Sequence, residues 1–129
     1  MARLIVLDAS VAIAALAADD THHDAAVAAL AGTSEDELVL AATTRAEILV
    51  GPARAGGSAS AAARDFVDGC ETVPVSGIIA DGAAALKARH RALSLPDAIA
   101  LAVSETIEAD AVWTFDRRWR DVQPRVVIP

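Results

Sequence analysis

The chain has 129 residues, 54% of them apolar, and a formal net charge of −7 at pH 7. That length suits one domain, residues 1–129, with a core of its own, and the acidic balance argues against a non-specific nucleic-acid binder, which would be basic. One cysteine, Cys70, excludes an internal disulfide, and no apolar run approaches the roughly 20 residues of a membrane-crossing helix.

An intracellular, cytoplasmic protein without a membrane anchor is expected. The opening MARLIVLD has too short an apolar run for a signal peptide and ends on an acid. Cys70 reads as a small buried residue. Aromatic residues are scarce, so Ala, Leu, Val and Ile must build the core, a composition that favours helices. Arginine outnumbers lysine ten to one. A metal-dependent nuclease stays compatible with the negative charge, because its acids cluster to hold cations.

In chain order, Arg3 to Leu7 reads as a buried strand. Ser10 is placed to cap a helix running to about Ala18, which Asp19, Asp20 and Thr21 break. His22 to Ala31 forms a second helix, with Ala26, Val27 and Leu30 on one face and Gly32 as its stop. Glu37 to Ala41 is a second strand. Thr43 or Thr44 caps a helix through about Val50, which Gly51 and Pro52 end or kink. After the Gly56-Gly57 loop, a helix covers Ser58 to Asp68 and stops at Gly69. Thr72 to Val75 is a third strand. A long helix runs from Ser76 to about Leu93. Pro96 opens the next at a favoured early position, and that helix reaches Glu108. Ala111 to Phe115 and Arg125 to Ile128 complete five strands. The alternation implies a three-layer α/β/α domain with a mainly parallel sheet.

In such sheets, sites form beyond the carboxyl ends of the strands. Asp8, in LIVLDAS, follows the first strand, and Asp116, in AVWTFD, follows the fourth. Asp110 precedes the same fourth strand and belongs at the opposite edge, roughly 15–20 Å away at about 3.3 Å per residue. Asp97, in LSLPDAIALAVSE, lies in the first turn of a helix that is apolar nearly all round and therefore buried. The alternative reading of Asp97 is an ordinary first-turn acid facing the helix dipole. Glu47, in TTRAEILVG, sits one turn into its helix. It shares a face with Thr43, or pairs with Thr44 in a capping box.

Were Asp8, Glu47, Asp97 and Asp116 to converge while ionised, each pair at about 6 Å would cost roughly 3 kcal/mol at an effective dielectric near 20. Several such pairs rival a whole domain's stability of about 5–15 kcal/mol. The cluster must bind cations, take up protons or stay apart. Oxygen ligands without His or Cys suit Mg²⁺ or Mn²⁺, and such metals commonly serve phosphoryl chemistry.

Taken in order, LIVLDAS, TTRAEILVG, LPDAIALA and VWTFD resemble the PIN domain, and more narrowly the VapC toxins of type II toxin–antitoxin pairs. The resemblance covers nearly the whole chain. No one motif is specific; the ordered set is. By position, Asp8 matches the family's first acid, Glu47 the helical acid, Asp97 the acid after Leu-Pro, and Asp116 the acid of the Thr-x-Asp segment. The resemblance implies a PIN-like fold, endoribonuclease cleavage of RNA dependent on Mg²⁺ or Mn²⁺, a homodimer, and inhibition by a cognate VapB-type antitoxin. In the mechanism that follows, Asp8 and Asp97 ligate the principal cation with Asp116 as a further ligand, and Glu47 contacts the metal through water or orients the attacking water. After Asp116 the chain departs from the usual mixture of charge and Phe, with Arg117, Arg118, Trp119 and Arg120.

Ser10 and Thr114 are further hydroxyls for the site, or simply a helix cap and a strand residue. Arg117, Arg118 and Arg120 either steer a phosphate backbone into an acidic mouth or form a solvated loop. Arg45 is expected one face away from Glu47, and Arg89, His90 and Arg91 on the surface. His22 and His23 lack a third ligand, so no metal role is assigned to them. Trp113 belongs in the core, and Trp119 either stacks a base or covers the sheet edge. Ala25 to Leu30 and Ile48 to Val50 offer apolar surface for a dimer or an antitoxin helix. Three rivals remain: a catalytically inactive PIN-like scaffold subunit, a receiver-like phosphoacceptor signalling domain, and a nuclease acting on DNA. The only lysine, Lys87, falls mid-helix, which weighs against the receiver.

Overall fold

A computed structural model describes residues 1–129. Strand β1 (Leu4–Leu7) sits at the centre of a five-stranded sheet, flanked by β2 (Glu37–Ala41) and β4 (Ala111–Trp113). The strands β3 (Glu71–Val73) and β5 (Val126–Val127) lie at the edges, in the order β3-β2-β1-β4-β5. Every pairing is parallel, with Ile5 opposite Leu38 on one side and Ala111 on the other.

Alternation along the strands makes the layers. Val6, Val39, Ala41 and Val112 face the helices α5 (Gly77–Arg89) and α6 (Leu95–Thr106), joining Ile79, Leu86, Leu101 and Val103 in one core. Ile5, Leu7, Leu40 and Trp113 face the other way. They pack with residues of α1 (Ala9–Leu16), α2 (His23–Ala31), α3 (Ala42–Ala55) and α4 (Gly57–Asp68). Two apolar layers on a parallel sheet explain why β1 and β4 are buried almost throughout. At the amino edge, Asp36 Oδ1 and Asp110 Oδ2 accept the amides of Arg3 and Leu4 at 2.9 and 2.7 Å, anchoring the start of β1. Asp110 thus lies at the edge opposite Asp116, as its place before β4 requires.

Several boundaries differ from the sequence reading. Ser10 does not cap α1, which begins at Ala9 and ends at Leu16. Neither Thr43 nor Thr44 caps α3; the helix starts at Ala42, and Thr44 is buried. Gly51 and Pro52 do not stop it, and it continues to Ala55. Proline forfeits one hydrogen bond there, while packing of α3 against α1 and α4 holds the turn in place. Helix α5 ends at Arg89, short of Leu93. The turn that follows is braced by Lys87 Nζ, which donates to the carbonyls of Arg91 and Leu93 at 3.3 and 2.9 Å. Helix α6 stops at Thr106, before Glu108. There, Ala109 N reaches Ser104 O at 3.0 Å and Glu108 N reaches Glu105 O at 3.2 Å, a Schellman closure with Glu108 at φ 53°. No helix is long and apolar enough to cross a membrane.

Since all strands are parallel, their carboxyl ends share one edge. Strand order reverses between β1 and β4, the position where α/β sheets open a crevice. Helices that follow strands begin at that edge, which brings the first turns of α1 and α3 there. Helix α6 leads into β4, so it too must start at the carboxyl edge.

Candidate active site

Asp8 follows β1 directly, and its amide donates to Trp113 O at 2.9 Å, extending the β1–β4 pairing. It occupies the N-cap position of α1, yet its carboxylate makes no capping bond. Instead Oδ2 accepts two hydroxyls, Ser10 Oγ and Thr114 Oγ1, both at 2.7 Å. A hydroxyl both donates and accepts, and each of these accepts in turn: Ser10 Oγ from Phe115 N at 3.1 Å, Thr114 Oγ1 from Asp116 N at 3.0 Å. The segments after β1 and β4 are therefore laced together through one buried carboxylate oxygen. Oδ1 receives no protein donor.

Asp97 lies in the first turn of α6, capped by Ser94, whose Oγ accepts the Asp97 amide at 3.2 Å. Burial pushes the Asp97 pKa up. The negative charges of Asp8 and Asp116 add to the rise, and Ser94 opposes it. The Trp119 indole also favours the ionised form, although its Nε1 falls short of hydrogen-bond geometry and finds no other partner. Glu47 lies in the second turn of α3. The residue as a whole is exposed, yet the protein around its carboxyl group raises its pKa, and the charges of Asp8 and Asp97 raise it further.

Asp116 behaves oppositely. The guanidinium of Arg118 grips it, Nε to Oδ1 at 2.9 Å and Nη2 to Oδ2 at 2.6 Å, while the Arg118 amide adds a bond to Oδ1 at 3.0 Å. This fork holds the Asp116 pKa below the usual carboxylate range.

The fold thus brings the acids singled out from the sequence within reach of one another's fields. Glu47 feels Asp8 and Asp97, and Asp97 feels Asp8 and Asp116. They do not stand gathered at ligating distance: no three His, Cys, Asp or Glu side chains form a ready metal cluster. The Arg118 fork engages both oxygens of Asp116. The donor chemistry nonetheless fits a hard divalent cation. It is all oxygen, it carries unrelieved negative charge, and it includes a buried carboxylate with one oxygen left over.

Beside Asp116 a groove of about 290 Å³ opens between the turn after α5 and the 3-10 turn Arg117–Asp121, lined in part by His90, Arg91, Arg118 and Trp119. Reading the sequence missed His90 and Arg91 as groove residues. Their place just before Ser94 and Asp97 was the available signal. Trp119 is buried in the core and cannot stack on a base. Arg45 turns away from Glu47 to Asp68 at 2.8 Å. His22 stacks on Phe115, centroids 4.2 Å apart, and His23 Nδ1 lies 2.8 Å from Ala14 O. Cys70 is only half-buried, and its thiol is pushed up to about 11 by desolvation.

A family model described as PIN domain matches residues 5–123. The chain belongs to the PIN domain family. This PIN domain superposes on solved structures at low identity. One is VapC20 of Mycobacterium tuberculosis, a Sarcin-Ricin loop cleaving toxin, with a TM-score of 0.78, 21% identity, and 91% of this chain and 93% of that chain covered. A chain of a toxin–antitoxin complex from Klebsiella pneumoniae gives 0.77 and 22%, covering 97% of each. A chain of FitAcB from Neisseria gonorrhoeae gives 0.76 and 20%, covering 98% of each. At these identities the likeness is one of fold. No curated protein sequence matches the chain.

Proposed function

We propose that this PIN domain is an endoribonuclease dependent on Mg²⁺ or Mn²⁺, and the VapC-type toxin of a type II toxin–antitoxin pair. The observation that carries the reading is the assembly at the β1–β4 switch point. Acids from four separate elements share one edge there, and Asp8 is fixed by Ser10 and Thr114 with Oδ1 left free. The similar solved structures include a toxin described as cleaving the Sarcin-Ricin loop and a chain of a toxin–antitoxin complex, which supports the same reading.

Asp8, Asp97 and Asp116 would hold the cation. When bound, it supplies a more acidic water and offsets charge on the phosphate under attack. Ser10 and Thr114 fix the direction of the Asp8 carboxylate. Glu47, exposed and with a raised pKa, orients the attacking water and accepts its proton. His90 and Arg91 line the approach for the RNA backbone.

The cognate VapB-type antitoxin is placed on an apolar groove of about 280 Å³ between α1, α3 and α4, lined by Ile13, Leu16, Ile48, Pro52 and Ala59. The exposed Val27 and Val50 are assigned to a homodimer face. Residues 1–129 are taken as a single domain.

Purified Asp8→Asn should retain its circular dichroism spectrum and lose Mg²⁺-dependent cleavage of RNA. Undiminished cleavage would remove the reading. Cleavage of single-stranded DNA at the same rate would move the substrate class.

A further inference from the structure

We infer that Arg118 is a built-in counter-ion of the site, occupying Asp116 until a divalent cation displaces it. The inference rests on the metal site proposed above and extends it to a residue outside the acid set.

The geometry is that of a fork on a fork. Nε and Nη2 of Arg118 meet Oδ1 and Oδ2 of Asp116 at 2.9 and 2.6 Å, the bidentate arrangement that guanidinium and carboxylate favour. Both residues lie in one short turn. Asp116 is its N-cap, and the Arg118 amide donates to the same Oδ1 at 3.0 Å, so the pair forms without ordering a distant element. Arg117 and Arg120 make no such contact, although they carry the same charge on the same turn. One member of the acid set is thereby neutralised, which lessens the repulsion that the remaining acids feel.

That hold is strong in geometry and weak in energy. The Arg118 side chain is 71% exposed, against 24% for Asp116. An exposed ion pair is screened by water, and its net worth is small. A divalent cation held by Asp8, Asp97 and Asp116 would carry twice the charge of the guanidinium, and it would compete with the fork for an Asp116 oxygen. Arg118 also lines the groove beside Asp116, so the released guanidinium has a place to go without unfolding its turn.

Two measurements test this without reading turnover. The first is the affinity of Mn²⁺ for the whole protein by calorimetry. Arg118→Gln should bind about two- to fivefold tighter than wild type, the range expected of an exposed pair. Arg117→Gln, with the same change in net charge, should shift affinity by less. The second uses the wild-type chain and no variant. The Arg118 Nε–H resonance, sheltered by Asp116 in the cation-free protein, should shift and exchange faster with water as Mg²⁺ is added, saturating with the binding curve. If Asp8→Asn and Asp116→Asn bind Mn²⁺ as wild type does, the metal site itself is wrong, and this inference falls with it. If those variants bind weakly while Arg118→Gln binds no tighter than Arg117→Gln, or if the Arg118 resonance ignores Mg²⁺, only the counter-ion role is overturned.

Discussion

Thr114 donates its hydroxyl to Asp8 Oδ2 at 2.7 Å across 106 positions of chain, and both residues are buried. The same hydroxyl receives the Asp116 amide. Thr114→Val keeps the shape and removes both bonds, leaving a buried carboxylate short of a donor. A loss of about 1–3 kcal/mol in urea denaturation is expected, with RNA cleavage falling at least tenfold. Thr114→Ser should keep most of both. Equal stability of the valine variant would show that the hydroxyl does not hold Asp8.

Asp97 sets function against stability. Its pKa is raised by burial and by Asp8, so the folded state binds more protons than the unfolded chain as pH climbs from about 4. Ionisation is disfavoured in the fold, and stability declines as pH rises through that window. Asp97→Asn removes the penalty. At pH 7 it should melt higher than wild type, while losing cleavage. The gain should vanish below about pH 4, where both states are protonated. Melting curves at several pH values measure it, and a variant that melts lower at pH 7 contradicts the sign. Glu47 shifts in the same direction, but its exposure makes the effect smaller.

Cation addition should act through the same charges. If Mg²⁺ binds the folded state alone, a hundredfold excess over its dissociation constant adds about 2.7 kcal/mol. Wild-type protein should therefore melt several degrees lower after EDTA treatment, and Asp8→Asn should respond far less. A melting temperature indifferent to Mg²⁺ in the wild type would argue against the acid cluster as its binding place.

Two backbone positions predict opposite glycine substitutions. Gly51 lies inside α3 just before Pro52, and beyond its chain neighbours and the helix's own backbone an added Cβ meets nothing within 4 Å. Gly51→Ala should gain less than the about 0.5–1 kcal/mol of helix propensity, because its Cβ meets the Pro52 ring. Glu108 closes α6 at φ 53°, the position where glycine is favoured. Glu108→Gly should gain about 0.5–1 kcal/mol as well. Chemical denaturation of the pair distinguishes these local causes from any effect on the distant site.

The layered fold was legible because β1 and β4 are buried on both faces and read as continuous apolar runs ending on acids. Their places before and after β4 put Asp110 and Asp116 at opposite edges, as they lie in the fold. Helix ends were harder. Pro52 reads as a stop, but the contacts that keep α3 going come from α1 and α4, which local sequence does not reveal. Ser10 shows the limit of capping rules: its hydroxyl turns to Asp8 because Phe115, a hundred residues away, offers an amide to the same oxygen. Arg118 was visible as charge. Its fork on Asp116 depends on a turn whose shape only coordinates provide.

The switch between β1 and β4 also sets the order in which the acid set is completed. A chain folded only through β3 presents Asp8 and Glu47, but neither the Thr114 hydroxyl that steadies Asp8 nor the acid that follows β4. Blades that close only when the last hinge is fitted cannot cut on the bench. Under the proposed ribonuclease reading, a copy that lacks β4 carries an incomplete acid set, and cleavage becomes a property of the finished fold.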